Sequence, residues 1–210
     1  MERSGRPKIG VITRSIDRGR KSGSGHHLAE LLAHAIPKAR DLEITLVHYE
    51  ESDHPIYRMA PELIIPANPI AAAAKLREAA FDLVHFSPLT IMAPIHNLPA
   101  KKVATIHSAE PMLLPEQYTL PKRLHSRFVI PHYASKLDTL ITVSQTSKEY
   151  FAREYRLPPE RIEITYNACS PVYRVLSPPE RAARADWPYP ERYIFHVSKF
   201  SERKNPWNLL

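Results

Sequence analysis

Short, strongly apolar runs recur along the chain and alternate with stretches of helical periodicity, and this alternation limits the fold more than any other feature. Runs such as KIGVIT (8–13), DLVHFS (82–87) and DTLITVS (138–144) are apolar over most of their length. Strands have this composition when helices cover both faces of a parallel sheet. The sequence therefore predicts an α/β fold with a doubly wound, mostly parallel sheet. The other predicted strands are 43–49, 62–66, 102–108, 161–167 and 192–200.

Three segments between these runs are predicted to be helices. Segment 25–36 places four apolar residues on one helical face: Leu28, Leu31, Leu32 and Ile36. Segment 68–80 is rich in alanine and carries Pro69 where a first helical turn tolerates proline. Segment 146–155 opens with Thr146 and Glu149, which have the spacing of a capping box.

Composition divides the chain into three parts. Residues 1–176 are long enough for one complete α/β domain. Residues 177–190 contain four prolines and read as a linker. Residues 191–210 begin with the last predicted strand and are expected to start a second domain.

Several classes of protein are excluded or disfavoured. No apolar run approaches the roughly 18 residues that a membrane span requires, and the N-terminus lacks the pattern of a signal peptide. The single Cys169 cannot form an internal disulfide, and no cysteine or histidine cluster has the spacing of a zinc site. A soluble, cytoplasmic protein is therefore expected.

The formal net charge of +7 is concentrated in residues 1–22 and 120–136. Such basic patches favour anionic partners: phosphorylated ligands, acidic lipid surfaces or nucleic acid. A solvated basic face without a partner is the alternative reading of each patch.

All five glycines occur in the first 25 residues, and the segment RGRKSGSGHH lies between the first strand and the first helix. Ligands bind at this place in open α/β sheets, where Gly23 and Gly25 would let the backbone approach an anion. A flexible surface loop is the alternative. The segment does not match GxGxxG, and no acid ends the second strand, so an NAD-dependent oxidoreductase is disfavoured.

Three histidines lie at or near the ends of predicted strands: His85, His107 and His196. Neutral imidazole can exchange hydrogen bonds with hydroxyl groups, and functional groups collect at the carboxyl ends of strands. His107 is the strongest candidate because the chain turns away directly after it. For the other two, a structural histidine within the sheet is favoured over a functional one. After the last predicted strand, three cations would suit a diphosphate: Lys199, Arg203 and Lys204.

Taken in order, these segments resemble the family 4 retaining glycosyltransferases, which have two facing Rossmann-like domains with a nucleotide-sugar site between them. The matching segments are SGSGHHLAELLAHAI, FDLVHFSP, KKVATIHSAEPMLLPE, the stretch 138–173, and YIFHVSKFSERKN. The stretch 138–173 is the most specific, because strand, VS, helix, LPPERI, strand and YN follow in the family's order. The chain departs from the family in having Ser108 for an aspartate and Ser198-Lys199 for Gly-Arg.

The resemblance implies roles for the candidate residues. His107 would face the transferred sugar as the catalytic candidate, and Gly23 and Gly25 would lie against the donor diphosphate or the acceptor. The cations would neutralise the leaving nucleotide diphosphate: Lys204 with Lys199 and Arg203. The implied partners are a nucleotide-sugar donor and a hydroxyl acceptor on a glycan or lipid, with no metal or other cofactor and no nucleic acid.

The resemblance also implies a truncated two-domain glycosyltransferase, because the domain that binds most of the donor would lie beyond residue 210. We therefore expect an N-terminal portion that transfers a sugar with retention but is inactive alone. A non-catalytic glycan-binding or interaction module, or one subunit of a split transferase, remains the alternative.

The segment LPKRLHSRFVIPHYASK (120–136) predicts a further surface. Leu120, Leu124, Phe128 and Tyr133 would line an apolar side beside the cations Lys122, Arg123, Arg127 and Lys136. Interfacial helices bind anionic lipid through this combination, which would place the protein peripherally at the inner face of a membrane. Pro131 is expected to interrupt the helix, and ordinary packing with a basic rim is the alternative.

Overall fold

The computed structural model of this chain describes residues 5–17, 23–90, 93–96, 98–183, 192–198 and 204–208. Within them, one parallel sheet has the strand order β3-β2-β1-β4-β5-β6-β7. The strands are β1 Lys8–Ile12, β2 Glu43–His48, β3 Glu62–Ile64, β4 Leu83–Phe86, β5 Lys101–Thr105, β6 Thr139–Thr142 and β7 Ile162–Ile164. The helices are α1 Arg14–Asp17, α2 Gly23–Ala35, α3 Pro69–Glu78, α4 Glu110–Leu113, α5 Leu120–Leu124, α6 Ile130–Ala134, α7 Gln145–Glu154 and α8 Pro178–Ala182.

The sheet is doubly wound, as the sequence predicts. Consecutive residues of a strand point to opposite faces, so the contacts of Leu46 and Val47 in β2 show which helix covers each face of the sheet. Leu46 packs in a cluster with Leu28 of α2, whereas Val47 belongs to the cluster that contains Leu76 of α3. Helices α2 and α3 therefore cover opposite faces, and the first seven predicted strands are confirmed.

Helix α2 confirms most of its predicted buried face. Leu28 and Leu32 are buried and Ile36 is partly buried, but Leu31 is 38% exposed. Consecutive residues lie about 100° apart around a helix axis, so Leu31 falls at the edge of the face centred on Leu32. The prediction that Leu31 belongs to the core face was wrong.

The predicted capping box of α7 was also wrong. The helix begins directly after Ser144, as expected, but Ser144 is its N-cap: the hydroxyl of Ser144 accepts a hydrogen bond from the N–H of Ser147 at 3.1 Å. Thr146 is consequently inside the first turn, and Glu149 accepts from the side chain of Gln145 at 2.8 Å. Ser144, two residues after the end of β6, therefore acts as the N-cap.

Helix geometry continues across Pro131, which was predicted to interrupt it. Residues His125–Val129 form a π-helical turn between α5 and α6, in which the N–H of Ile130 donates to the carbonyl of His125. Proline cannot donate a backbone hydrogen bond, and its ring crowds the carbonyl four residues before it. The wider π turn accommodates the ring, so residues 120–134 form one basic-apolar helix.

The chain forms two compact units, Met1–Ala168 and Cys169–Leu210. In the second unit the predicted linker contains α8, whose first turn is stabilised by Glu180 accepting from the N–H of Ser177 at 2.8 Å. The predicted strand at 192–200 is wrong over its described residues 192–198, which pair with no other strand in the described chain. Without a neighbouring strand, this apolar run gains no ladder of hydrogen bonds. The domain boundaries proposed from composition remain predictions.

Gly10 is required by close packing in β1, and we expect Gly10→Ala to lower the free energy of unfolding by about 1–2 kcal/mol. A Cβ at this position would lie 2.9 Å from ring carbons of the buried Phe81. The matched control is Gly23→Ala, because nothing lies within 4 Å of a Cβ built there. Urea unfolding of both variants checks the prediction, and equal stabilities would contradict it.

Candidate functional site

The sheet order reverses direction beside β1, which lies between β2 and β4. In open α/β sheets, ligands bind outside the carboxyl ends of the strands at such a switch point. Helix α2 lies between β1 and β2 in the sequence. Its first turn contains Gly23, which is exposed, and Gly25, which is buried. The two glycines predicted to contact a ligand thus belong to the first turn of a helix that follows the switch-point strand.

His27 of α2 interacts with two histidines from other parts of the sheet edge, His107 and His85. His107 follows the end of β5 by two residues, and its ring meets that of His27 in α2 edge to face with centroids 4.6 Å apart. His85 in β4 is hydrogen-bonded through Nε2 to Oγ1 of Thr105 at the end of β5, at 2.8 Å. We name His27, His85, His107 and Thr105 the imidazole cluster.

Burial keeps these imidazoles neutral. It lowers the pKa of His107 and of His85, the latter to about 4, and the nearby His27 lowers both further. Burial also lowers the pKa of His27. A neutral imidazole both donates and accepts, so at neutral pH the cluster can exchange hydrogen bonds with hydroxyl groups without carrying charge.

His107 has unused hydrogen-bonding capacity. Its Nε2 is buried and has no hydrogen-bond partner within the described part of the chain. Buried polar atoms are normally paired, so an unpaired one near the ligand edge of a sheet is a functional candidate. Of the three histidines selected from sequence, His107 has this property. His85 is paired with Thr105 as a structural histidine, and His196 in the second unit is exposed, with Nε2 2.7 Å from Oγ of Ser198.

A second polar cluster includes residues just before the glycine-rich segment in the sequence. It was not predicted from the sequence. The hydroxyl of Tyr57 donates to the carboxylate of Asp17, the last residue of α1, and lies 2.8 Å from Oγ1 of Thr13. The ring of His48 stacks on Tyr57 with centroids 4.4 Å apart, and its Nε2 is 3.1 Å from Glu62. Burial raises the pKa of Asp17, against the lowering effects of Tyr57 and His48.

This second cluster, Thr13, Asp17, His48 and Tyr57, anchors α1 to the sheet. The hydroxyl of Ser15 adds a bond to the carbonyl of Ser87, 3.0 Å away beyond the end of β4. The signal that could have revealed the cluster is the pair His48 and Thr13, the first at the end of β2 and the second directly after β1.

The predicted cation site is only partly within the described residues. Lys199 and Arg203 lie outside them, while Lys204 is exposed in the second unit. The part of the chain that is described contains no group of three histidine, cysteine, aspartate or glutamate side chains able to hold a metal ion. It also contains no helix with the length and apolar character needed to cross a bilayer.

Comparison with known proteins identifies the kind of domain. Residues 22–171, well over half of the chain, match the family model of Glycosyltransferase Family 4. The crystal structure of a glycosyltransferase from Rickettsia africae ESF-5 has a TM-score of 0.54 at 11% identity, over 86% of this chain and 49% of that one. The chain thus spans about half the length of that protein. The wall teichoic acid polymerase TagF gives a TM-score of 0.42 at 13% identity, over 77% of this chain and 38% of the polymerase. No curated protein matches the sequence.

Proposed function

This chain belongs to glycosyltransferase family 4, and on that premise we propose that it is the N-terminal, acceptor-side portion of a retaining transferase. The enzyme would move a sugar from a nucleotide-sugar donor to a hydroxyl acceptor. The proposal rests on the Rossmann-like parallel sheet and on the match to the glycosyltransferase family model. The donor, the acceptor and the stereochemistry belong to the proposal.

The observation that carries the proposal is the unpaired, buried Nε2 of His107 beyond the carboxyl end of β5. A sugar hydroxyl would satisfy this nitrogen, and the neutral ring would tolerate either direction of the hydrogen bond. Such a bond fixes the sugar relative to the acceptor, which lowers the entropic part of the barrier. His107 is therefore proposed to contact the transferred sugar.

The leaving nucleotide diphosphate needs positive charge as its bond to the sugar breaks. Lys204 is proposed to provide part of this charge, together with Lys199 and Arg203. The segment that carries them belongs to the second unit, whereas His107 belongs to the first. The chain spans about half the length of the glycosyltransferase from Rickettsia africae, and we propose that these 210 residues alone do not turn over donor.

A turnover assay tests this part of the proposal. Radiolabelled nucleotide sugars, including UDP-glucose and GDP-mannose, are incubated with the full chain, and release of free sugar or transfer to glycerol is measured. We expect no release above the protein-free control. Turnover that His107→Ala abolishes would show that the chain is active by itself, and turnover insensitive to His107→Ala would refute the proposed role of that histidine.

We also propose that the basic-apolar helix, residues 120–134, binds the surface of an anionic membrane. Leu120, Leu124 and Phe128 are 65%, 47% and 60% exposed at four-residue spacing, whereas Tyr133 packs partly against the core. Lys122 and Arg127 are exposed on the same helix, which carries no acidic residue. Apolar side chains beside uncompensated cations favour partitioning into an anionic interface.

Liposome flotation checks the membrane proposal. We expect the wild-type protein to float with vesicles that contain phosphatidylglycerol and to remain behind with pure phosphatidylcholine. Phe128→Glu should remove most of the bound fraction, because it puts a charge into the apolar stripe and lowers the positive charge. The matched control is Ile70→Glu, at an apolar residue of α3 that is 80% exposed. Equal loss in both variants, or equal flotation with the two lipids, would contradict the proposal.

A further inference from the structure

His27 is the residue in contact with the ring of His107, and neither the family match nor the sequence motifs assign it a role. We infer that His27 is a positioning residue: its edge-to-face contact fixes the ring of His107 and keeps the buried Nε2 available to a substrate hydroxyl. The inference rests on the proposed function, in which His107 contacts the sugar.

The ring of His107 needs such a support. A histidine ring turns about a broad, roughly two-fold torsion unless a hydrogen bond or close packing fixes it. Nε2 of His107 makes no hydrogen bond within the described part of the chain, so that nitrogen does not hold the ring. The contact with His27 has an interplanar angle of 88°, the perpendicular arrangement that aromatic pairs favour.

The packing of helix α2 against the sheet holds His27 in position for this contact. His27 is followed directly by Leu28, whose side chain is fully buried against the sheet, and Leu32 is buried one turn later. The backbone of His27 is therefore held by core packing. The geometry of a site is held most accurately when its supporting residues belong to well-packed helices or strands.

The electrostatics of the contact are consistent with positioning by a neutral ring. Burial and then the proximity of His27 lower the pKa of both His107 and His85, and burial lowers the pKa of His27. A proton on His27 would place a charge near both His85 and His107. The arrangement is thus most favourable when His27 is uncharged and acts through its ring.

Two substitutions separate the ring from its charge. His27→Ala removes the contact, whereas His27→Phe keeps an aromatic edge and removes both nitrogens. The control is His34→Ala on the same helix, because His34 hydrogen-bonds the carbonyl of Glu30 there, at 2.8 Å, and lies outside the cluster. Thermal unfolding of each variant verifies that the domain remains folded.

The experiment follows the imidazole resonances of His107 by ¹H–¹⁵N NMR in the full chain without ligand. We expect faster ring motion in His27→Ala and wild-type motion in His27→Phe, with the pKa of His107 moving towards 6.5 in both. Unchanged ring motion in His27→Ala would overturn the inference. If His27→Ala does not fold, faster motion in His27→Phe would overturn it as well, and retained motion would support it.

A binding measurement separates this inference from the proposed function. We expect His27→Ala to bind nucleotide sugar about fivefold more weakly and His27→Phe to bind nearly as well as the wild type. If the wild type binds no nucleotide sugar but the ring motion changes as expected, the positioning contact stands and the proposed function fails. If the sugar binds equally well in all variants, the positioning role fails and the proposed function remains.

Discussion

Acidification from pH 7.5 to 4.5 is expected to lower the free energy of unfolding by about 2–3 kcal/mol through His85 alone. Burial lowers the pKa of this imidazole to about 4, whereas an unfolded histidine has its ordinary pKa near 6.5. Between these values the unfolded chain binds a proton and the folded chain does not. The stabilisation is therefore complete above pH 6.5 and is lost as the pH falls towards 4.

Urea unfolding at the two pH values measures this effect, and His85→Gln isolates it. Glutamine can retain a hydrogen bond to Thr105 but cannot titrate. The other buried groups titrate equally in both proteins, including Asp17, whose raised pKa makes its own contribution change in the opposite direction. We expect His85→Gln to show the smaller loss on acidification. Parallel pH dependences of the two proteins would contradict the prediction.

Removal of the Tyr57 hydroxyl is expected to destabilise the protein by about 2 kcal/mol at pH 7. The hydroxyl donates to the buried carboxylate of Asp17, and one oxygen of that carboxylate already lacks a partner in the described residues. Tyr57→Phe would leave a buried charge with still fewer donors. Because the pKa of Asp17 is raised, the loss should be smaller at acidic pH, where the protonated carboxyl tolerates burial better.

A double-mutant cycle tests whether Asp17 is the reason. In an Asp17→Asn background, Tyr57→Phe should cost about 1 kcal/mol or less, because the neutral amide loses only an uncharged hydrogen bond. Tyr49→Phe is the control, since its half-buried ring lies under the guanidinium of Arg14 and outside this cluster. A loss for Tyr57→Phe that is the same in both backgrounds would contradict the account.

The sheet could be predicted from sequence because buried parallel strands combine β propensity with apolar side chains on both faces. KIGVIT and DTLITVS both became interior strands of the sheet, β1 and β6. The same composition in YIFHVS gave no strand, because strand formation depends on a hydrogen-bonded neighbour that composition does not report. The N-cap of α7 was mispredicted for a related reason: both Ser144 and Thr146 can cap a helix, and the path of the chain after β6 places Ser144 at that position.

The site was predictable only in part. His107 was identified because it closely follows a strand at the ligand edge, which is a local signal. His27, which contacts it, lies in another element, and the sequence offers no periodicity that pairs the two. Asp17 and Tyr57 were missed likewise, since a buried hydrogen bond between distant residues depends on the tertiary fold.

Saturation-transfer difference NMR of nucleotide sugars with the full chain tests the central claim most directly, because it detects weak binding and reports which part of the ligand touches the protein. The account predicts saturation of the sugar-ring protons by the wild-type chain. His107→Ala should remove most of that signal. The control His96→Ala replaces an exposed histidine whose ring centroid lies 6.0 Å from that of His132, and it should retain the signal. Absence of sugar saturation in the wild type, or saturation that survives in His107→Ala, would contradict the account.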